Sequence, residues 1–259
     1  MKDSREEWYD KDAKVAITIV DVTSAAQELA RGHLAGPTST HFLTEALASV
    51  ALLGAEMSEK DETVILQMKC KGPLGGFNVE CTSEGTLRGY AEKKILDDFD
   101  GMGKPDSRKV IGEAQYQVTR SVPGRILSQG ISTSLDGYFA GSLQRKACLK
   151  TEASVSDEVE ILEARGILVE DLPDAKGPMT CCRTDDLKSL AVASRNILKQ
   201  LGLEKAELRK TTPLRFACRC SPDRAVAMLA ALSDEERKTL PPTIDITCHM
   251  CGKTFTVKV

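Results

Sequence analysis

The chain has 259 residues, 41% hydrophobic and 28% charged, with a formal net charge of -3. That length suits one large domain or two unequal ones, and the apolar share excludes a disordered chain. The slightly acidic balance and the 4% aromatic content argue against nucleic acid as the partner, because phosphate neutralisation and base stacking both lack their residues.

Met1 to Asp12 is dense in charge and has no secretory apolar stretch. The longest small-apolar run, Ala46 to Ala55, falls short of the about 20 residues of a membrane span. A cytoplasmic protein without a membrane partner is expected. Val15 to Val22 is β-branched and predicts a strand, and the helix after it has capping-box spacing at Ser24 and Gln27. Between Ser39 and Ser58, residues such as Phe42, Leu43, Leu47, Val50 and Leu53 recur at helical intervals, which predicts a central core helix.

Thr63 to Lys69, Phe77 to Thr82 and Thr86 to Ala91 read as an antiparallel meander broken by Gly72-Pro73, Gly75-Gly76 and Glu84-Gly85. Tyr116 to Thr119 and Ile126 to Ile131 are extended, Leu135 to Arg145 is helical, and Val159 to Ala164 and Gly166 to Leu172 are the last strands before Pro173. The fold class is therefore α+β, with residues 1–178 forming a core of mixed helices and antiparallel sheet.

Residues 179–212 are expected to be a helical linker. Asp185 and Asp186 open it, Leu187, Leu190, Ile197, Leu198 and Leu201 make an apolar stripe, and Gly202 suits its C-terminal cap. Such a helix needs a surface to lie on. Residues 213–259 form a small third part with helix starts at Ser221-Pro222 and at Ser233 with Glu236.

That third part carries Cys218-x-Cys220 and Cys248-x-x-Cys251. Two close cysteine pairs separated by a short module meet the needs of a tetrahedral thiolate site, and one zinc ion on these four residues is the expected cofactor, with iron the alternative. A segment under about 50 residues is also too small to be stabilised by its own core, so a metal would supply what is missing. Four sulfurs leave no open coordination position, which disfavours hydrolytic chemistry. His249 reads as a spacer beside the site, and His33 and His41 as structural residues. Cys70, Cys81 and Cys148 read as small buried hydrophobes, and the adjacent pair Cys181-Cys182 as reduced thiols in the linker. Gly252-Lys253-Thr254 lacks the earlier glycine of a phosphate loop, and no hydrolase, zincin or dinucleotide motif occurs. No catalytic residues emerge, so a non-enzyme is expected.

The chain resembles the redox-regulated chaperones named heat shock protein 33, also called the 33 kDa chaperonin. The resemblance rests on both cysteine motifs, on Gly72-Pro73-Leu74 with Arg88-Gly89-Tyr90-Ala91, on Tyr138-Phe139-x-x-Ser142-x-Gln144, and on Gly166-Ile167-Leu168-Val169 running to Leu172-Pro173. Arg165, Glu170 and Asp171 are more charged than the family's residues around that last strand. The resemblance implies an ATP-independent holdase, inactive when reduced with zinc bound. Oxidation would activate it by forming two disulfides, most simply Cys218 with Cys220 and Cys248 with Cys251. It further implies unfolded or aggregation-prone client proteins as partners and a homodimer in the oxidised form.

Elementary chemistry supports the same switch. Metal-bound sulfurs are thiolates, the form that oxidants attack, and oxidation removes the ligands on which the small domain depends. The linker stripe and the surface beneath it would then be exposed. Two other classes remain. A constitutive zinc-ribbon module for RNA or ribosomes would need a more basic tail than seven basic and five acidic residues. A thiol-disulfide oxidoreductase using Cys248 and Cys251 would normally carry no metal.

Overall fold

The computed structural model describes residues 3–173, 175, 184 and 187–259. The charged N-terminus forms β1 (Ser4–Asp10), which pairs antiparallel with β2 (Val15–Asp21). Its polar residues conceal the strand from a hydrophobicity reading because two of them point inward and are satisfied there. Arg5, only 2% exposed, donates from Nη1 to the Ala51 carbonyl at 3.2 Å. Asp10 accepts from the Asp12 and Ala13 N–H groups at 3.0 and 2.9 Å.

Helices α1 (Thr23–His33) and α2 (Pro37–Leu53) follow. The capping box expected at Ser24 and Gln27 does not form. The first N–H groups of α1 are taken instead by carboxylates from outside the helix, Asp21 on Thr23 at 3.1 Å and Asp3 on Ser24 and Ala25 at 3.0 and 2.6 Å. Gln27 turns to the far hairpin, accepting from the Ile161 N–H and donating to the Val159 carbonyl.

Helix α2 is the central core helix expected from its periodicity. Every residue except Pro37 and Glu45 is buried, because two sheets cover opposite sides of it. Pro37 at its first position and the Asp100 carboxylate on the Thr38 N–H at 2.9 Å fix where it starts. The second sheet contains the expected meander, β3 (Thr63–Cys70), β4 (Gly76–Thr82) and β5 (Thr86–Ala91). After the short α3 (Ser107–Val110), β6 (Ala114–Val122) and β7 (Arg125–Ser132) complete its far side.

Helix α4 (Leu135–Gly141) stops before Arg145, and Gln144 takes a left-handed φ of 54° where the chain turns into β8 (Lys146–Val155). That strand escapes a hydrophobicity reading because Lys150 and Glu152 lie on it. The two final strands expected around Gly166 are one strand, β9 (Ile161–Asp171), paired along its length with β2 and β8.

Among the described residues of the stretch expected to be helical, α5 (Ser194–Gln200) is the α-helix, and Glu207–Pro213 is a strand, β10, added to β1. Asp185 and Asp186 lie outside the described residues. The apolar stripe is nevertheless buried as a unit. Leu187, Leu190, Ile197, Leu198, Leu201 and Leu203 pack on Trp8, Ile17, Ile19, Ile167 and Val169, making a second core on the outer face of the first sheet. Residues 187–193 can leave the helix because charged side chains of the sheet satisfy their backbone. Lys150 Nζ donates to the Leu187 carbonyl at 2.8 Å, Arg165 donates to the Leu190 and Val192 carbonyls at 3.0 and 2.9 Å, and Glu152 accepts from the Leu190 N–H at 2.6 Å.

The first sheet thus has the order β10-β1-β2-β9-β8. The second runs β11-β5-β4-β3-β6-β7, with β11 (Arg215–Phe216) joining β5 in parallel.

One buried ion pair carries a pH signature. Glu62 is fully buried, bonded to Arg120 Nε at 2.6 Å and to the Ser58 and Glu59 N–H groups at 2.9 and 3.0 Å. Burial alone would raise its carboxyl, but Arg120 and the two N–H groups together hold it below the ordinary value. A depressed folded-state pKa stabilises the fold above the unfolded carboxylate range, and that stabilisation disappears as pH falls through the folded value. Glu62→Gln is therefore expected to lower the melting temperature at neutral pH and to flatten its decline toward acid. Melting curves of the two proteins running parallel from pH 7 to pH 3 would refute this.

Candidate metal centre

Residues 217–259 form a small lobe made of α6 (Pro222–Ala230), α7 (Asp234–Lys238) and the hairpin β12 (Thr243–Thr247) with β13 (Thr254–Lys258). Both helix starts are as the sequence predicts. Ser221 Oγ accepts from the Arg224 N–H at 3.2 Å with Pro222 in the first turn, and Ser233 with Glu236 forms a reciprocal capping box. The apolar core holding them is slight: Ala225, Leu229 and Val257 are its buried members.

Cys218 and Cys220 precede α6, and Cys248 and Cys251 lie in the turn of the hairpin. The turn is closed by the Cys251 and Gly252 N–H groups donating to the Cys248 carbonyl at 3.4 and 2.8 Å, and by Gly252 at a φ of 73°. All four sulfurs lie within 4.8 Å of one another, with Cys218 to Cys248 at 3.8 Å and Cys220 to Cys251 at 3.4 Å. A tetrahedron of sulfurs about 2.3 Å from a zinc ion has edges of about 3.8 Å, so the arrangement suits a thiolate-bound cation.

Electrostatics point the same way. Burial pushes the thiols of Cys220 and Cys251 up; the other three sulfurs add to the effect at Cys251, whereas at Cys220 the bond with Cys251 lowers it and Cys218 and Cys248 raise it. Against its own desolvation, the Cys220 N–H and the Arg88 guanidinium hold the Cys218 thiol down to about 7. Four sulfurs so close cannot all be anionic without a cation among them. The four could hold a metal ion, and the donor set favours zinc.

The lobe docks on the second sheet and the end of α1. Arg88 on β5 donates to Cys218 Sγ at 3.6 Å and also to Glu80, a buried carboxylate that accepts from Arg219 Nη2 at 3.0 Å. The Gly89 N–H donates to the Met250 carbonyl at 3.2 Å, and the Gly89 carbonyl accepts from His33 Nε2 at 2.8 Å. Two glycines permit the closest approach. A Cβ on Gly32 would stand 2.3 Å from the Cys251 carbonyl oxygen, and one on Gly252 would stand 1.9 Å from that of Gly32. Gly32→Ala is expected to weaken docking by about 1–3 kcal/mol while leaving metal content unchanged. Limited proteolysis beyond residue 217 should then run faster than in the parent protein, and equal rates would refute the role of this seam.

The remaining sequence candidates fall outside the cluster. His249 is exposed beside it, edge-on to Tyr90 at 5.8 Å. His33 and His41 are buried, the latter 3.5 Å from Glu45. Cys81 is fully buried and its thiol is pushed up to about 11, whereas Cys70 and Cys148 are half-buried. Cys181 and Cys182 lie outside the described residues. Gly252-Lys253-Thr254 runs into a strand, so it cannot cradle phosphate at a helix start. Sequence reasoning misses Arg88, Glu80 and Arg219 as site residues, since nothing marks residues far apart in the chain as neighbours of the sulfurs. Among the described residues, no helix is long and apolar enough to cross a membrane.

Two sheets closed over a central helix, with a four-cysteine lobe docked at one edge and a linker laid on the outer face of the first sheet, define an α+β platform carrying a small lobe that could hold a metal ion. The family described as "Hsp33 protein" matches residues 3–258, and the chain belongs to that chaperone family. It is 27% identical to a 33 kDa chaperonin of Thermus thermophilus, over 92% of this chain and 79% of that protein. It is 24% identical to the 33 kDa chaperonin of Oceanobacillus iheyensis, over 98% and 96%. In fold it matches the crystal structure of the Thermotoga maritima 33 kDa chaperonin with a TM-score of 0.86 at 22% identity, covering 100% of this chain and 95% of that one. Membership of a chaperone family implies unfolded proteins as binding partners.

Proposed function

We propose that this protein is an ATP-independent holdase whose four cysteines form a redox switch, inactive when reduced and metal-bound, active when oxidised. The observation that carries this reading is the second core. The linker stripe from Leu187 to Ala206 seals an apolar sheet face, and its continuation runs through β10 and β11 directly into Cys218.

When bound, zinc keeps the four sulfurs as thiolates and ties the two cysteine pairs together. Peroxide converts one thiolate of a pair to sulfenic acid, and its neighbour displaces water to form a disulfide. In forming each disulfide a thiolate pair gives up two electrons, and one peroxide takes them up with two protons from solvent and leaves as two waters. The cross-pairs lie at 3.8 and 3.4 Å in the closed lobe, and disulfides there would keep the lobe tied shut. Pairing Cys218 with Cys220 and Cys248 with Cys251 releases it, and these pairs stay adjacent once it unfolds. The freed lobe withdraws β11 and the tether on β10, the linker loosens, and the sealed face becomes available to unfolded clients in the cytoplasm. Exposed apolar surface of this kind also favours a homodimer of the oxidised protein.

The test is peroxide with mild heat. It should release one zinc ion per chain, expose dye-binding surface, shift the protein to a dimer on gel filtration, and suppress aggregation of a denatured client. Equal suppression under reductant with zinc retained would overturn the reading.

A further inference from the structure

We infer that the outer edge of β5 is a strand-addition site for client polypeptides, occupied in the closed protein by the chain's own segment from Leu214 to Arg219. The inference rests on the proposed release of the cysteine lobe.

One side of β5 is paired with β4. On the other, the Gly85 carbonyl accepts from the Arg215 N–H at 3.0 Å, the Leu87 carbonyl accepts from the Ala217 N–H at 3.1 Å, and the Gly89 N–H reaches the Met250 carbonyl at 3.2 Å. The pairing is parallel and only two residues long, Arg215 with Thr86 and Phe216 with Leu87. Strand pairing this short is weak, and both segments that cover the edge are anchored by the metal lobe. When they leave, β5 presents carbonyls at Gly85 and Leu87 and an N–H at Gly89, in register for another extended chain.

The displaced segment also describes the chemistry of its replacement. Leu214 is buried and Phe216 is half-buried against the main core, two positions apart as on one face of a strand. Arg219 reaches the buried Glu80 carboxylate at 3.0 Å. The edge therefore fits an extended segment with large apolar residues at alternate positions and a basic residue three places beyond the second. Unfolded proteins offer such segments with their backbone free, whereas folded proteins have theirs paired. A client gripped here would be held by its main chain, in addition to any apolar contact with the face sealed by the linker.

The experiment uses the full-length protein and a synthetic capped peptide spanning Leu214–Arg219, with serine in place of Cys218 so that the peptide carries no thiol. A second peptide carries N-methyl groups on the residues matching Arg215 and Ala217, which removes the two donated hydrogen bonds. Amide exchange is followed at Gly89. Oxidation should speed that exchange by about a hundredfold. Millimolar unmethylated peptide should slow it again by about tenfold, through an extended backbone in which the Ala217 carbonyl accepts from Gly89, and should compete with a permanently unfolded client. The methylated peptide should do neither. Continued protection of Gly89 after oxidation would overturn both the lobe release and the edge site. Opening of Gly89 with no re-protection by peptide would leave the switch intact and overturn the edge site alone. Equal action of the two peptides would refute main-chain pairing.

Discussion

Replacing Cys251 with serine is expected to abolish stable metal binding, unfold residues 217–259 and leave residues 3–171 folded. Serine cannot supply a thiolate, and Cys251 is only 5% exposed, so water has poor access to replace it. The lobe has little else to stand on. Its buried apolar set is Ala225, Leu229 and Val257, and metal binding to modules of this size contributes on the order of 10 kcal/mol. The platform keeps its own much larger core around α2 and does not depend on the sulfurs. Metal content should fall from one ion per chain to near zero, and protease should cut beyond Phe216 while the platform resists. The variant should also hold clients without oxidant. Cys70→Ser, remote from the sulfur cluster, should keep its metal and its need for peroxide. A metal-free Cys251→Ser protein with an intact, protected lobe would show that the ion is not what folds it.

The same division between local and distant causes explains what the sequence disclosed. Elements governed by periodicity were legible: α2, the meander from Thr63 to Ala91, and the helix starts at Ser221 and Ser233, where turn and cap residues act on their own neighbours. The four sulfurs were legible because pair spacing is itself the signal for a shared ion. Elements whose polar residues are satisfied across the fold were not. β1 places Arg5 under the end of α2, and β8 spends Lys150 and Glu152 on the linker backbone, so neither reads as a buried strand. The linker reads as one long helix by its leucines, but among its described residues the α-helix is Ser194–Gln200, because Arg165, Lys150 and Glu152 satisfy the backbone of residues 187–193 in another conformation. The close approach of Gly32 to the Cys251–Gly252 turn has no local signature, since it arises between segments far apart in the chain.

Leu198→Ala separates the cover from the trigger, and its expected result is a protein that keeps its metal yet binds clients under reductant. Leu198 is fully buried between the linker and the first sheet, where such a truncation costs about 2–5 kcal/mol. That loss falls on a segment which is short and largely irregular, so it should open the cover locally before the platform melts. Thiol counts and metal content should match those of the parent protein, while apolar dye binding and suppression of aggregation should rise before any peroxide is added. Glu152→Gln should move in the same direction by less, about 1–2 kcal/mol, because it weakens a charged acceptor on the Leu190 N–H and leaves the leucines in place. The order of the two effects matters: leucine burial as the main hold predicts Leu198→Ala above Glu152→Gln, and the reverse order would place the hold in the polar contacts. If Leu198→Ala takes up dye yet still requires oxidant to retain a client, then uncovering this face is insufficient, and the capacity to hold unfolded chains must come from surfaces that only the departure of the cysteine lobe creates.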